Sequence, residues 1–208
     1  MNARSPLRAL LALVLALAGI QGAHAQALSL DVQAHLNWLS QTRDHQGQTV
    51  AVIDKRQARL WLFNADLKPL GSTPVLLGSA RGDDSVPGIG EREMHDIKPF
   101  ERTTPAGRFV AEAGRNADGE DIFWIDYDAA VSMHRVRPTN PAERRLQRLA
   151  SATAADNRIS YGCINVPTDF YDRRLRTLLS VSPAVVYVLP ETRSLEAQFG
   201  PPRVAQRR

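Results

Sequence analysis

The chain has 208 residues, a formal net charge of +4, 43% hydrophobic residues and one cysteine. Its basic residues are dispersed apart from Arg144-Arg145, Arg173-Arg174 and the terminal Arg203, Arg207 and Arg208. No basic helix carries interleaved aromatics, so no nucleic-acid partner is expected. A single cysteine and scattered histidines lack the spacing of a zinc site. No glycine loop opens a helix to cradle a phosphate, so neither metal nor cofactor is expected.

The first 25 residues read as a secretory leader, cleaved on export. Arg4 and Arg8 form a positive start, Ala9 to Ile20 is apolar, and Ala23-His24-Ala25 is a small-x-small cleavage site. The apolar run is short for a membrane span of about 20 residues. Removing residues 1–25 takes away two arginines and no acid, leaving 183 residues with a net charge of +2. That length fits one domain with a full core. The leader implies a bacterial envelope protein, with the periplasm as the expected location. In an oxidising compartment an unpaired cysteine is a reactive thiol, half of an intermolecular bridge, or an inert buried hydrophobe.

In chain order, Ser29 caps a helix in which Val32, Leu36 and Leu39 recur at helical spacing to about Thr42. This helix belongs to an N-terminal segment over residues 26–48. Val50 to Asp54 and Ala58 to Phe63 form a hairpin around Lys55-Arg56-Gln57, and the second strand is covered on both faces. Pro74 to Leu77 is read as a third strand. Gly78 to Arg102 is a long glycine- and aspartate-containing loop, of a length that is often functional. Phe109 to Ala111 and Ile122 to Ile125 resume strand character, and Ala129 to Met133 leads into His134. Asn140-Pro141 starts a helix running to about Ala154. Pro167-Thr168-Asp169 starts another, carrying Phe170, Leu175, Leu178 and Leu179. Ala184 to Leu189 is a last strand, and residues 191–208 form a loose tail. The order predicts an α+β, β-rich domain over residues 49–190.

The chemistry concentrates in Ser160-Tyr161-Gly162-Cys163-Ile164-Asn165. A thiol after glycine suggests a nucleophile on a tight turn, and a thiolate needs a partner for its proton. His134 is favoured as that base over His45 and His95. With the turn Thr104-Pro105-Ala106-Gly107-Arg108-Phe109, these motifs resemble the L,D-transpeptidase catalytic domain of YkuD type. That family carries a histidine, a spacer, then Ser/Thr-His-Gly-Cys-hydrophobic-Asn or Arg, and a Thr-Pro-x-Gly-x-Phe turn. The similarity spans about Thr49 to Leu189.

The resemblance implies a β-sandwich with a few flanking helices, and Cys163 and His134 as the catalytic pair. It also implies an oxyanion and substrate site of Ser160, Tyr161, Gly162 and Asn165, with backbone N–H groups of Tyr161-Gly162-Cys163 as donors, Gly162 leaving room for the turn, and Asn165 and Thr104 supporting the loop. The implied substrate is a peptidoglycan stem peptide, acylating Cys163 with loss of D-alanine before an amine accepts the acyl group. That acceptor is another stem, a lipoprotein lysine or a free D-amino acid. Three departures stand out. Tyr161 replaces the motif histidine. The interval from His134 to Cys163 is 29 positions, and its surplus holds the helix from Asn140, expected beside the cleft. Arg135 follows His134 where a small residue is common; a guanidinium at Arg135 or Arg137 suits a substrate carboxylate, but a solvated surface arginine is the preferred reading. Alternative activities are a same-fold L,D-carboxypeptidase, a cross-link-cleaving amidase, and a wall-binding protein without catalysis.

Overall fold

Apolar residues in the opening hairpin run unbroken over residues 50–53 and 60–63 rather than alternating, so both faces of its strands must be covered. The computed structural model, which describes residues 27–180 and 184–201, shows how. Strands β1 (Thr49–Asp54), β2 (Arg59–Phe63) and β10 (Ala184–Val188) lie at the centre of an eight-stranded sheet. Its order is β3-β2-β1-β10-β5-β6-β7-β9, with β3 Pro69–Pro74, β5 Gly107–Arg115, β6 Asp121–Asp126, β7 Val131–Arg135 and β9 Ile164–Val166. A two-stranded sheet pairs β4 (Leu77–Gly78) with β8 (Arg158–Ser160). The chain is thus mostly sheet with a few helices, as expected.

The central strands divide their side chains between two cores. Ala51, Ile53, Leu60, Leu62 and Val186 join Phe123, Met133, Ile164 and Val166 from the other end of the sheet, which curls over to enclose one cluster. Val50, Val52, Trp61, Phe63, Val185 and Tyr187 face the opposite way, against Val32 and Leu39 of helix α1 (Leu30–Thr42). Ser29 caps that helix by accepting from the Val32 amide.

Three expectations are corrected. The third strand is β3, ending at Pro74 rather than beginning there. It lies at the sheet edge and pairs only with β2, where two prolines and a glycine are tolerated and conceal the strand pattern. The expected helix over 140–154 is broken. A 3-10 turn, Pro141–Glu143, precedes α2 (Arg145–Ala150) because Arg144 takes a left-handed φ of 51°. A second 3-10 turn covers Ala154–Asn157. The helix after Pro167 does form, as α3 (Thr168–Phe170), a π segment (Tyr171–Leu175) and α4 (Arg176–Leu179).

The third correction concerns the tail, which is anchored through residue 200. Asp83 of the long loop accepts from the amides of Glu191, Thr192 and Arg193 at 2.7–2.9 Å and from the Thr192 hydroxyl. Helix α5 (Leu195–Phe199) follows, with Leu195 and Phe199 against the α1 face of the sheet. The same carboxylate pairs with Lys55 at 2.8 Å, and both side chains are fully buried. Lys55 also donates to the carbonyls of Gly82 and Thr104 at 2.5 and 2.9 Å. Thus a residue placed in a hairpin turn by its sequence ties the hairpin, the long loop and the C-terminal segment together. The leader expected over residues 1–25 lies outside the described residues.

Burial by itself raises the Asp83 carboxyl. The hydrogen bonds from Lys55, the Thr192 hydroxyl and the two amides outweigh it and hold the group well below the usual carboxylate range. Its contribution to stability is therefore full above the unfolded value of about 3.9 and is lost as pH falls below that toward the depressed folded value. Asp83→Ala leaves a buried ammonium without its partner. Urea denaturation at neutral pH is expected to show a loss of about 3–5 kcal/mol, and the gap between variant and parent is expected to narrow in acid.

Candidate active site

Strand geometry assembles the site. In β7, Ser132 and His134 point to one face, while Met133 points to the core. Strand β9 runs parallel to β7 with His134 opposite Asn165 and Met133 opposite Ile164. Cys163 shares the parity of Asn165, so thiol, imidazole, hydroxyl and amide emerge on one side of a two-strand ladder. They line a cleft of about 460 Å³ with Tyr161, Ser160 and Arg145, roofed by Met94 from the long loop.

The turn between β8 and β9 is fastened from three directions. The Ser160 hydroxyl donates to the Cys163 carbonyl at 2.6 Å and accepts from the Gly162 amide at 3.1 Å. The buried Thr104 hydroxyl donates to the Gly162 carbonyl at 2.8 Å and accepts from the Gly78 amide at 2.9 Å. Gly162 has φ 136°, and a Cβ there would lie 2.7 Å from the Thr103 carbonyl oxygen. Only glycine fits this close approach. Because Lys55 holds the Thr104 carbonyl, the buried ion pair is one residue removed from the nucleophile turn.

His134 has its tautomer fixed by a carbonyl. Nδ1 lies 2.7 Å from the Arg135 oxygen. A carbonyl only accepts, so Nδ1 carries the proton and Nε2 is the free base. Nε2 faces the Asn165 amide nitrogen at 3.3 Å and lines the same cleft as the Cys163 thiol, whose own donor contact is to the Ala130 carbonyl at 3.6 Å. Burial pushes the thiol up. The hydrogen bond and charge of His134, with the amide and hydroxyl of Ser132 at 3.5 and 3.6 Å, outweigh that and bring it below the usual thiol range. Cys163 remains partly accessible, which separates it from an inert core thiol.

Other expected residues take different places. Gly162 does not offer its amide to a substrate, since Ser160 accepts from it. Among the described residues no acceptor takes the Tyr161 or the Cys163 amide, so these two remain as the loop's donors. Tyr161 lines the cleft with the Arg102 guanidinium 3.9 Å above its ring, so the phenol packs the long loop onto the nucleophile turn. Arg135 is not a substrate-carboxylate ligand. The alternation of β7 turns it away from His134, onto the Tyr171 ring and between Asp121 and Asp172 at 3.0 and 2.6 Å. Arg137 lines the cleft and pairs with Asp118. The rival bases are elsewhere: His95 is highly exposed beside Asp96, and His45 is buried against the Ala65 carbonyl.

The residue missed in the sequence is Arg145. It begins α2 in the segment inserted between His134 and Cys163, and its guanidinium donates to the Asn165 side-chain oxygen and to Glu143. Its only sequence signal is an Arg-Arg pair, which a solvated helix start explains equally well. Leu149 of the same helix packs with Leu76 and Val136, seating the insertion against the domain.

No family model matches the chain, and no curated protein matches it. Solved structures do. The catalytic domain of an E. faecium L,D-transpeptidase is 19% identical, with a TM-score of 0.39 over 69% of this chain and 98% of that one. An L,D-transpeptidase from Stackebrandtia nassauensis is 15% identical, with a TM-score of 0.40 over 88% of this chain and 74% of that one. An L,D-transpeptidase from Mycobacterium smegmatis is 16% identical, with a TM-score of 0.40 over 68% of this chain and 58% of that one. At these values the likeness carries no argument about activity.

The lowered thiol sets a pH profile. Alkylation of Cys163 is expected to reach half its maximal rate below the ordinary thiol value of about 8.5. His134→Gln is expected to move that midpoint upward, because it removes the charge that holds the thiolate. Equal midpoints in the two proteins contradict the pairing.

Proposed function

We propose that the chain is a cysteine-dependent L,D-transpeptidase of the bacterial envelope, acting on peptidoglycan stem peptides. The observation that carries this reading is a partly accessible thiol sharing one cleft with a histidine whose Nδ1 is held by a backbone carbonyl, which leaves Nε2 unprotonated. The motif order supplies the substrate class. The leader expected over residues 1–25 supplies export to the periplasm, where such peptides are found.

The steps follow from the geometry. Nε2 of His134 takes the Cys163 proton, and the thiolate attacks the carbonyl that joins the L-centre of a diamino acid to D-alanine. The oxyanion faces the Cys163 amide, a donor that costs no reorganisation because the turn is already fixed. The imidazolium returns its proton to the departing D-alanine amine, leaving a thioester on Cys163. An acceptor amine, deprotonated by Nε2, attacks the thioester and restores the thiol. The acceptor is another stem or a lipoprotein lysine. Neither half-reaction uses a metal or cofactor in this reading, and the two halves give ping-pong kinetics.

Incubation with purified tetrapeptide muropeptides is expected to release D-alanine and form a new cross-linked dimer, visible by mass spectrometry. Cys163→Ala is expected to form none. Shortened stems without dimer make the chain a carboxypeptidase, and cleaved dimers make it an amidase. The parent chain is also expected to gain the mass of one carbapenem on Cys163. Binding without that adduct and without turnover rejects the enzymatic reading in favour of a wall-binding protein.

A further inference from the structure

Asn165 is almost fully buried and joins three groups of the site. Its oxygen accepts from the Arg145 guanidinium. Its nitrogen donates to the Cys163 carbonyl at 3.3 Å and faces His134 Nε2 at 3.3 Å. The chemistry of the partners fixes this orientation, since a guanidinium has only donors and a carbonyl only accepts. An amide nitrogen facing Nε2 suits neutral imidazole alone. Once His134 takes the Cys163 proton, Nε2 becomes a donor and two N–H groups oppose each other. The resting arrangement therefore works against the charged pair, and Arg145 holds it in place.

Arg145 is placed to respond to a substrate. It lines the same cleft as the thiol and belongs to the inserted segment. Its side chain is 14% exposed, and Nη1 and Nε account for its hydrogen bonds to Asn165 and Glu143. A carboxylate entering the cleft meets Nη2 first, and bidentate pairing through Nη1 and Nη2 requires Arg145 to give up its bond to Asn165. Both guanidiniums lining the cleft pair with an acid, Arg145 with Glu143 and Arg137 with Asp118; only Arg145 also holds Asn165, and Arg135 lies between Asp121 and Asp172.

We propose that Arg145 is a positioning and specificity residue: a substrate carboxylate that engages it releases the Asn165 amide to turn its oxygen toward His134, which completes the thiolate–imidazolium pair. After the turn, Asn165 Oδ1 and the Cys163 thiolate share the single Nε2 proton, and the amide nitrogen faces the bound carboxylate. The Cys163 carbonyl keeps the Ser160 hydroxyl as its donor. No covalent bond changes. The inference rests on the His134–Cys163 reading above and selects acidic stem peptides, those ending in a free carboxylate, as activating ligands.

The test reads thiolate formation on the full chain by ultraviolet absorbance, with Cys163→Ser as the blank; Cys163 is the one cysteine present. Removing a nearby cation by itself raises a thiol midpoint, whereas releasing Asn165 lowers it, so the sign separates the two. Arg145→Met is expected to lower the midpoint by about one unit, a tenfold rise in thiolate at a fixed lower pH. Arg145→Lys, which keeps a donor for Asn165, is expected to stay near the parent. N-acetyl-D-alanine is expected to lower the midpoint of the parent, its uncharged amide is not, and Arg145→Met is expected to respond to neither. In an Asn165→Ala background the Arg145→Met effect is expected to vanish; Arg145→Gln substitutes if the Met variant does not fold. A midpoint unchanged or raised in Arg145→Met, or equal responses to acid and amide, overturns the proposal. Failure of the transpeptidase reading shows separately, as absent muropeptide turnover with the midpoint shifts intact.

Discussion

A buried ammonium and carboxylate, Lys55 and Asp83, hold the structure in register. Each is fully buried, and neither is tolerable there without the other. Asp83 gathers three consecutive amides of the C-terminal segment, while Lys55 gathers the carbonyls of Gly82 and Thr104. Arg158 of β8 adds hydrogen bonds to the Lys55 carbonyl and to Glu191. Five distant stretches of chain thereby meet at one point. From that point Thr104 reaches directly to the Gly162 carbonyl and fixes the turn that presents Cys163. Stability and chemistry are linked through a single hydroxyl.

The second constraint is strand parity. Parallel pairing of β7 with β9 sets His134 beside Asn165 and leaves Met133, Ile164 and Val166 to the core. A slip of one residue would exchange the two faces and send the catalytic groups inward. The core thus enforces the register that the site needs. The same alternation explains why Arg135, adjacent in sequence to His134, serves Asp121, Asp172 and Tyr171 on the opposite side.

Much of this was legible in the sequence because it is written in local patterns. The all-apolar hairpin announced a doubly covered centre, Ser29 announced its helix, and Gly162-Cys163 announced a tight nucleophile turn. What stayed hidden depends on partners far along the chain. Lys55 looked like a turn residue because its carboxylate lies 28 positions away. The C-terminal segment looked loose because its anchor is the carboxylate of Asp83, in the long loop. Strand β3 was masked by prolines that only an edge position permits, and Arg145 was masked because its role is read through Asn165. The amide of Gly162 was assigned to a substrate because no sequence pattern shows that Ser160 accepts from it.

The central claim is that a backbone carbonyl sets the tautomer of His134 and so leaves Nε2 without a proton in the cleft it shares with the only thiol. Ring-nitrogen NMR shifts of His134 in the Cys163→Ser chain test it most directly. A proton on Nδ1 of the neutral ring, with none on Nε2, is the predicted result. A proton resident on Nε2, with Nδ1 bare against the Arg135 carbonyl, would contradict the account.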